Sequence, residues 1–195
     1  MIIKRRSLKE YVPQNSTNKY IFHLSSLWAE DTAFINYSRL NFIRASKATS
    51  GIKFEGGLVD VGYDFSFMGD INDALYSGGK IKLVNYIKKT KQSFVVFNGP
   101  SVKKCHGWKI AEYLALGKAV ISTKFHNHLP IPLEHGKNIF FVEDDYQSFK
   151  EAIEFLLQNP KEVLKLEKGA SKYWRDNLLP EVVVTQLVNF TIKNK

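Results

Sequence analysis

Apolar positions fall into two kinds of run along this chain. The first kind is short and unbroken, and rich in β-branched and aromatic residues. Tyr20 to Trp28 opens with one (YIFHL), Ser93 to Asn98 reads SFVVFN, Ala119 to Thr123 reads AVIST, and Asn138 to Glu143 reads NIFFVE. Runs of this kind are expected of strands buried on both faces, as in a parallel sheet. Gly51 to Gly57 (GIKFEGG) is a further, more polar strand that ends in a Gly-Gly turn. The second kind is spaced at helical intervals. Asn36 to Ala48 carries Leu40 and Ile43 with Tyr37, and Lys80 to Lys91 carries Ile81, Val84 and Ile87 on one face. Trp108 to Leu116 is apolar on nearly every side apart from Lys109 and Glu112, and Gly117 stands where a helix-ending glycine is expected. Ser148 and Glu151 read as a capping box before AIEFLL, and Asn159-Pro160 with Glu162 reads as the start of another helix. A last helix is expected over Glu181 to Ile192. Residues 58–79 follow neither period.

Strand, helix and strand joined by short connections form a βαβ unit, and βαβ units build a parallel sheet. The expected fold class is α/β: a Rossmann-like parallel sheet flanked by helices, with a helical C-terminal tail. Residues 1–18 are polar, charged and proline-containing and read as an arm or linker, leaving residues 19–195 as one domain.

Composition narrows the class. A 44% hydrophobic share permits a core, and one cysteine, Cys105, allows no intrachain disulfide, which fits a reducing compartment. No stretch approaches the roughly 20 apolar residues of a membrane span, and only two apolar residues follow Met1, far short of a signal-peptide core. The expectation is a soluble cytoplasmic protein. The charge is uneven: residues 1–110 hold 17 Lys/Arg against 8 Asp/Glu, whereas residues 111–195 hold 11 of each. Such a field favours anionic partners, or simply keeps the chain soluble. No helix-turn-helix, zinc-finger or RNP-like pattern is found, so nucleic acid is not the expected partner. The spacing of His126, His128 and His135 fits no zinc site, and no metal is expected. Cys105 beside His106 is a weak match to a thiol catalyst, because sequence neighbours rarely face each other.

In an open parallel sheet, ligands bind beyond the C-terminal ends of the strands. The segment after Leu24, the loop from Asn98 to Gly107 and the turn after Thr123 occupy that edge. Gly107 allows close backbone approach just before a helix N-terminus, and Lys103, Lys104 and Lys109 add positive charge. Lys109 and Glu112 share the helix face left over once Trp108, Ile110, Ala111, Tyr113, Leu114 and Ala115 pack inward. That pair suits a cleft, with Lys109 meeting phosphate and Glu112 meeting sugar hydroxyls. It equally suits an exposed i,i+3 salt bridge.

The segment HGWKIAEYLALGKAVIST…LEHGKNIFFVEDDYQSFKEAIEFLL resembles the C-terminal half of a GT-B glycosyltransferase of the family-4 (group 1) type. The residues that carry the likeness are Gly107, Glu112, Gly117, Val120 to Thr123, His135-Gly136 and Asn138 to Val142, in order over some sixty positions between Phe94 and Leu157. The resemblance implies a nucleotide-diphosphate-sugar donor and no metal or other cofactor. It implies that Glu112 meets the donor ribose, and that the backbone about Gly107 meets sugar and diphosphate. An early basic residue, Arg39 or Arg44, would meet the diphosphate, and Asn98, Lys104, His106, Trp108 and Lys109 complete the candidate site; His106 equally suits a packing or capping role. Two departures stand out. The family often carries a second glutamate eight residues before the first, where this chain has Lys104. A GT-B enzyme also has two Rossmann-like domains, and this chain has room for one. The expectation is therefore a donor-binding half that needs an N-terminal partner domain, as a fragment, a split gene product or a degenerate enzyme. An anionic membrane carrying a lipid-linked acceptor is a further candidate contact. The alternative reading is a Rossmann-like module that binds a nucleotide or a protein and turns nothing over.

Overall fold

The computed structural model describes Pro13, residues 19–29 and residues 32–193. The expected arm, residues 1–18, lies outside the described residues apart from Pro13. Among the described residues five strands form: β1 (Tyr20–Ser26), β2 (Lys53–Val59), β3 (Val96–Asn98), β4 (Val120–Thr123) and β5 (Phe140–Val142). All three strand pairs are parallel, β1 with β2, β3 with β4, and β4 with β5. The two ladders meet side by side. Phe94 N donates to the Tyr20 carbonyl at 2.8 Å, and the Phe22 N–H donates to Ser93 Oγ at 2.9 Å. The two-stranded ladder β2-β1 and the three-stranded ladder β3-β4-β5 remain distinct, and with β1 beside β3 the strands lie in the spatial order β2-β1-β3-β4-β5. The chain winds one way from β1 to β2 and the other way from β3 to β5, so the switch point lies between β1 and β3.

The described residues also hold six α-helices, α1 (Ala33–Ala48), α2 (Leu83–Gln92), α3 (Lys109–Ala115), α4 (Tyr146–Gln158), α5 (Pro160–Asn177) and α6 (Pro180–Lys193), of which α6 follows α5 and is largely exposed. The alternation along the strands sends neighbours to opposite layers. Ile21, Phe97 and Ile121 pack with Phe42 of α1 and Phe149 and Ile153 of α4. Val96 and Val120 pack on the other face with Ile110 and Leu114 of α3 and Ala170 and Tyr173 of α5. The expected α/β class and the parallel sheet are both present.

The differences from the sequence reading are local. α1 starts at Ala33, so Asn36 lies inside it, fully buried. Its amide accepts the Trp28 N–H at 2.9 Å and donates to the Trp28 carbonyl at 2.7 Å. α2 starts at Leu83, and it buries Ile87 and Thr90 while Val84 stands out 70% exposed. Tyr86 turns in instead, edge-on to Phe22 at 5.5 Å. α4 is capped by Asp145, three residues before the expected Ser148. Its carboxylate accepts from Ser148 N and Ser148 Oγ, each at 2.8 Å, which leaves Glu151 to accept from Gln147. Residues 58–79, which showed no period, hold two short 3-10 turns, Ser66–Met68 and Asn72–Ala74.

α3 ends as its glycine requires. Gly117 has φ +60°, its N–H donates to the Leu114 carbonyl at 3.0 Å, and Lys118 N donates to the Tyr113 carbonyl at 3.0 Å. This is the paired Schellman closure. Lys118 then enters the core, with Nζ 3.1 Å from both Glu167 Oε1 and the Lys91 carbonyl. The buried pair ties α5 to the start of β4.

Candidate functional site

Two hollows open beyond the C-terminal ends of β1 and β3, at the switch point. They share four lining residues, Trp28, Arg39, Trp108 and Lys109. The larger, about 400 Å³, extends over Leu24 to Ser26, Val59 and Tyr86, with Ile81 and Leu83 at the start of α2. The smaller, about 90 Å³, extends over His23, Phe97 and the Asn98–Ser101 turn to Gly107. The sequence explains this convergence. A strand that ends at Ser26, a helix that brings Arg39 one layer below it, and a loop that returns through Gly107 all meet at one edge.

The two cations hold the end of β1. Lys109 Nζ donates to the Leu24 carbonyl at 2.9 Å and lies 5.9 Å from the Tyr86 ring centre. Arg39 Nη1 donates to the Ser26 carbonyl at 2.6 Å. Among the described residues neither cation forms an ion pair with a carboxylate. Desolvation, and then the neighbouring Arg39, lower the Lys109 pKa to about 7, with Glu112 pulling the other way. Arg39 is lowered to about 10 by its own burial. His23, buried beneath them, is held neutral by desolvation and by both cations. Two positive groups forced together at a cavity wall, with carbonyls as their hydrogen-bond partners, form a site suited to an anion.

The remaining candidates divide. Gly107 and Trp108 line the hollows, but Trp108 is 66% exposed and does not pack against the sheet. Ala111 is exposed too, so α3 buries only Ile110, Tyr113, Leu114 and Ala115. The expected inward packing of Trp108 and Ala111 is corrected: with only seven residues, α3 has one inward face. Lys109 reaches Leu24 rather than Glu112, so the i,i+3 salt bridge is not formed. Glu112 is half-buried on α3 and lines neither hollow. Asn98 is buried at the end of β3 and donates to Ser122 Oγ at 3.0 Å, tying β3 to β4 while lining the smaller hollow.

His106 and Lys104 stand on the far side of Gly107. The His106 ring lies edge-on to Phe125 at 4.9 Å, and its Nε2 has no partner among the described residues. Lys104 is exposed, with Lys103 and Lys104 at φ +53° and +58°, a left-handed pair without glycine. Both candidates border a third hollow of about 10 Å³, room for about one water. Arg44 is excluded from the cleft. It forms a bidentate pair with Asp73 at 2.7 and 3.0 Å and donates to the Asp70 carbonyl. The structure therefore places Arg39, not Arg44, at the cavity. The sequence reading missed Trp28, His23 and Tyr86. The only signal for Trp28 was its place just past the end of β1.

Neither a protein-family model nor a curated protein matches the sequence. Solved structures do. The C-terminal domain of a glycosyl transferase group 1 family protein (LpcC) from Francisella tularensis shares 13% identity over 89% of this chain and 98% of that one, with a TM-score of 0.59. HepE from Anabaena, solved in complex with UDP-glucose, shares 14% identity over 92% of this chain and 50% of that one, at 0.62. Sucrose-phosphate synthase from Thermosynechococcus elongatus shares 16% over 96% of this chain and 50% of that one, also at 0.62. The fold is that of a GT-B C-terminal domain. This chain spans nearly all of the isolated LpcC domain and about half of the two longer enzymes. Gly107 precedes α3, Glu112 lies within it, Gly117 closes it, and Asn138 to Val142 lead through β5.

Proposed function

We propose that this chain is the donor-binding half of a glycosyltransferase. It binds a nucleoside-diphosphate sugar beyond β1 and β3, with Arg39 and Lys109 facing the diphosphate. The observation that carries this reading is the pair of cations at the cavity wall, bonded to the Leu24 and Ser26 carbonyls and joined to no carboxylate among the described residues. The UDP-glucose complex of HepE, a protein of the same fold, supports the ligand class. Glycosyl transfer leaves negative charge on the departing diphosphate, and preorganised positive groups stabilise it without a metal ion. Glu112, the ribose contact that the resemblance implies, stands one turn from Lys109 on α3 but outside both hollows, so this reading of the donor site does not rest on it.

Transfer also needs an acceptor held against the donor. The acceptor wall in this reading belongs to a second Rossmann-like domain. Lys104 stands where the resembled family often has a sugar-binding glutamate, so recognition of the sugar differs from that pattern. That substitution is also what favours the second reading, a domain that binds a nucleotide without turning it over. Calorimetric titration with UDP and GDP tests donor binding. Sugar transfer after an N-terminal glycosyltransferase domain is added separates the two readings.

A further inference from the structure

Away from the cleft, α5 sorts its side chains by face. It buries Val163, Leu166, Ala170 and Tyr173 on one side. On the opposite side stand Lys161, Lys165, Lys168, Lys172 and Arg175, all exposed. They alternate at four- and three-residue intervals, which aligns them in one stripe about 21 Å long. Two of the five are paired with acids of α5 itself: Glu162 lies 3.5 Å from Lys165, and Asp176 lies 2.5 Å from Lys172. Exposed pairs of this kind hold weakly, so the stripe keeps a positive field. Leu164, 41% exposed, stands between Lys161 and Lys168. Five residues after the stripe ends, α6 begins, and its character is different. Residues 182–192 contain no charged side chain. Val184, Leu187, Val188 and Ile192 recur at three- and four-residue intervals, and each is half or more exposed. Aliphatic surface of this kind is costly to leave wet and marks an interaction site.

We infer that α5 and α6 form a docking surface for an anionic lipid bilayer, with the α5 cations on the headgroup phosphates and the aliphatic stripe of α6 laid into the interface. The charge is complementary. A straight row of cations meets phosphate at any register of a headgroup surface, and each cation adds to the attraction. The adjoining apolar helix decides between anionic partners, because a nucleic-acid backbone would leave Val184, Leu187, Val188 and Ile192 wet, whereas a bilayer covers them. None of the described helices is long and apolar enough to cross a membrane. A short uncharged helix with an apolar stripe lies in the plane of the interface instead. None of the described α5 or α6 residues lines the two hollows, so this surface stands independently of the donor site.

The test is co-sedimentation of the full chain with vesicles of phosphatidylcholine alone and of phosphatidylcholine with about 30% phosphatidylglycerol, at about 0.1 M salt. Wild type should bind the anionic vesicles at least about tenfold tighter than the neutral ones. Three variants follow, with circular dichroism melts to report folding. Lys161→Gln/Lys168→Gln/Arg175→Gln should lose about tenfold or more. Val184→Gln/Leu187→Gln, which keeps every charge, should lose about fivefold or more. Lys80→Gln/Lys82→Gln/Lys88→Gln removes the same charge from exposed positions at α2 and should lose less than about threefold. Equal losses in the α2 and α5 variants would reduce the effect to net charge and overturn the surface. Equal binding to both vesicle types, or none to the anionic ones, would overturn it too. Single-stranded RNA bound as tightly as the anionic vesicles, with the α6 substitutions without effect on either, would assign the stripe to nucleic acid. A dimer in analytical ultracentrifugation that the α6 substitutions abolish, without vesicle binding by wild type, would assign α6 to a second copy of the chain.

Discussion

Lys109 is a lysine whose proton is placed at risk by its neighbours. Desolvation and Arg39 favour the neutral amine, which brings its pKa down to about 7. A bound diphosphate favours the ammonium and raises that value again. Between the free and bound values, binding takes up a proton, so affinity must fall as pH rises above about 7, by up to about tenfold per pH unit. Titrations with UDP from about pH 7 to 9 check this, a range in which the terminal phosphate, with a pKa near 6, is already ionised. Lys109→Arg keeps its charge throughout and should flatten the profile; an equally steep profile in that variant would assign the proton elsewhere. The same residue shows how far sequence carried the site. Lys109 and Gly107 were legible because a charge and a glycine interrupt an apolar helix entrance. Arg39 and Arg44 were not separable, because only the folded chain shows Asp73 capturing Arg44. Trp28 was legible only by its place just past β1, since nothing in a sequence says that an indole after a strand stays open rather than buried.

At the scale of elements, two glycines fix how α5 lies against the rest. Gly169, in the middle of α5, faces the turn before β5, and a Cβ there would sit 1.9 Å from the Lys137 carbonyl oxygen. Gly169→Ala must push α5 from that turn and should cost about 2–4 kcal/mol, at the upper end for overpacking. Gly117→Ala meets a φ of +60° and Ser171 Oγ at 2.3 Å, and should cost about 1–2 kcal/mol. Urea unfolding of each variant measures these losses; a change below about 0.5 kcal/mol at Gly169 would contradict the contact. The strands and helices themselves were largely legible, because unbroken apolar runs and helical spacing differ in period. The misplaced starts have physical causes. Asp145 competes with Ser148 as the α4 cap and wins with a charged acceptor. The face of α2 was read from Ile81, Val84 and Ile87; Ile87 is buried, but Val84 is exposed and Tyr86 supplies the inward ring, so the buried stripe is rotated.

At the scale of the whole molecule, the described residues form one Rossmann-like unit with its cleft open at the strand ends. Nothing in that unit supplies a second wall for an acceptor. The isolated chain should therefore bind donor yet show no glycosyl transfer above background, checked with several nucleotide sugars and broad acceptors; clear turnover would contradict the half-enzyme account. Donor binding should also survive EDTA, since Arg39 and Lys109 already face the diphosphate, and a loss above about tenfold restored by magnesium or manganese would show that the cations are insufficient. The fold class was legible from sequence because a parallel sheet writes itself as buried runs between helices. The cavity was not, because it is made where β1, α1, α2 and α3 meet, at positions up to 85 residues apart. The most direct test of the central claim is calorimetric titration of UDP and GDP into the wild-type chain and into Lys109→Ala at about pH 7. The account predicts saturable binding by the wild type and a loss of about 1.5–3 kcal/mol, at least tenfold in affinity, in a variant that remains folded. No saturable binding of either nucleotide, or equal affinity in the two proteins, would contradict it.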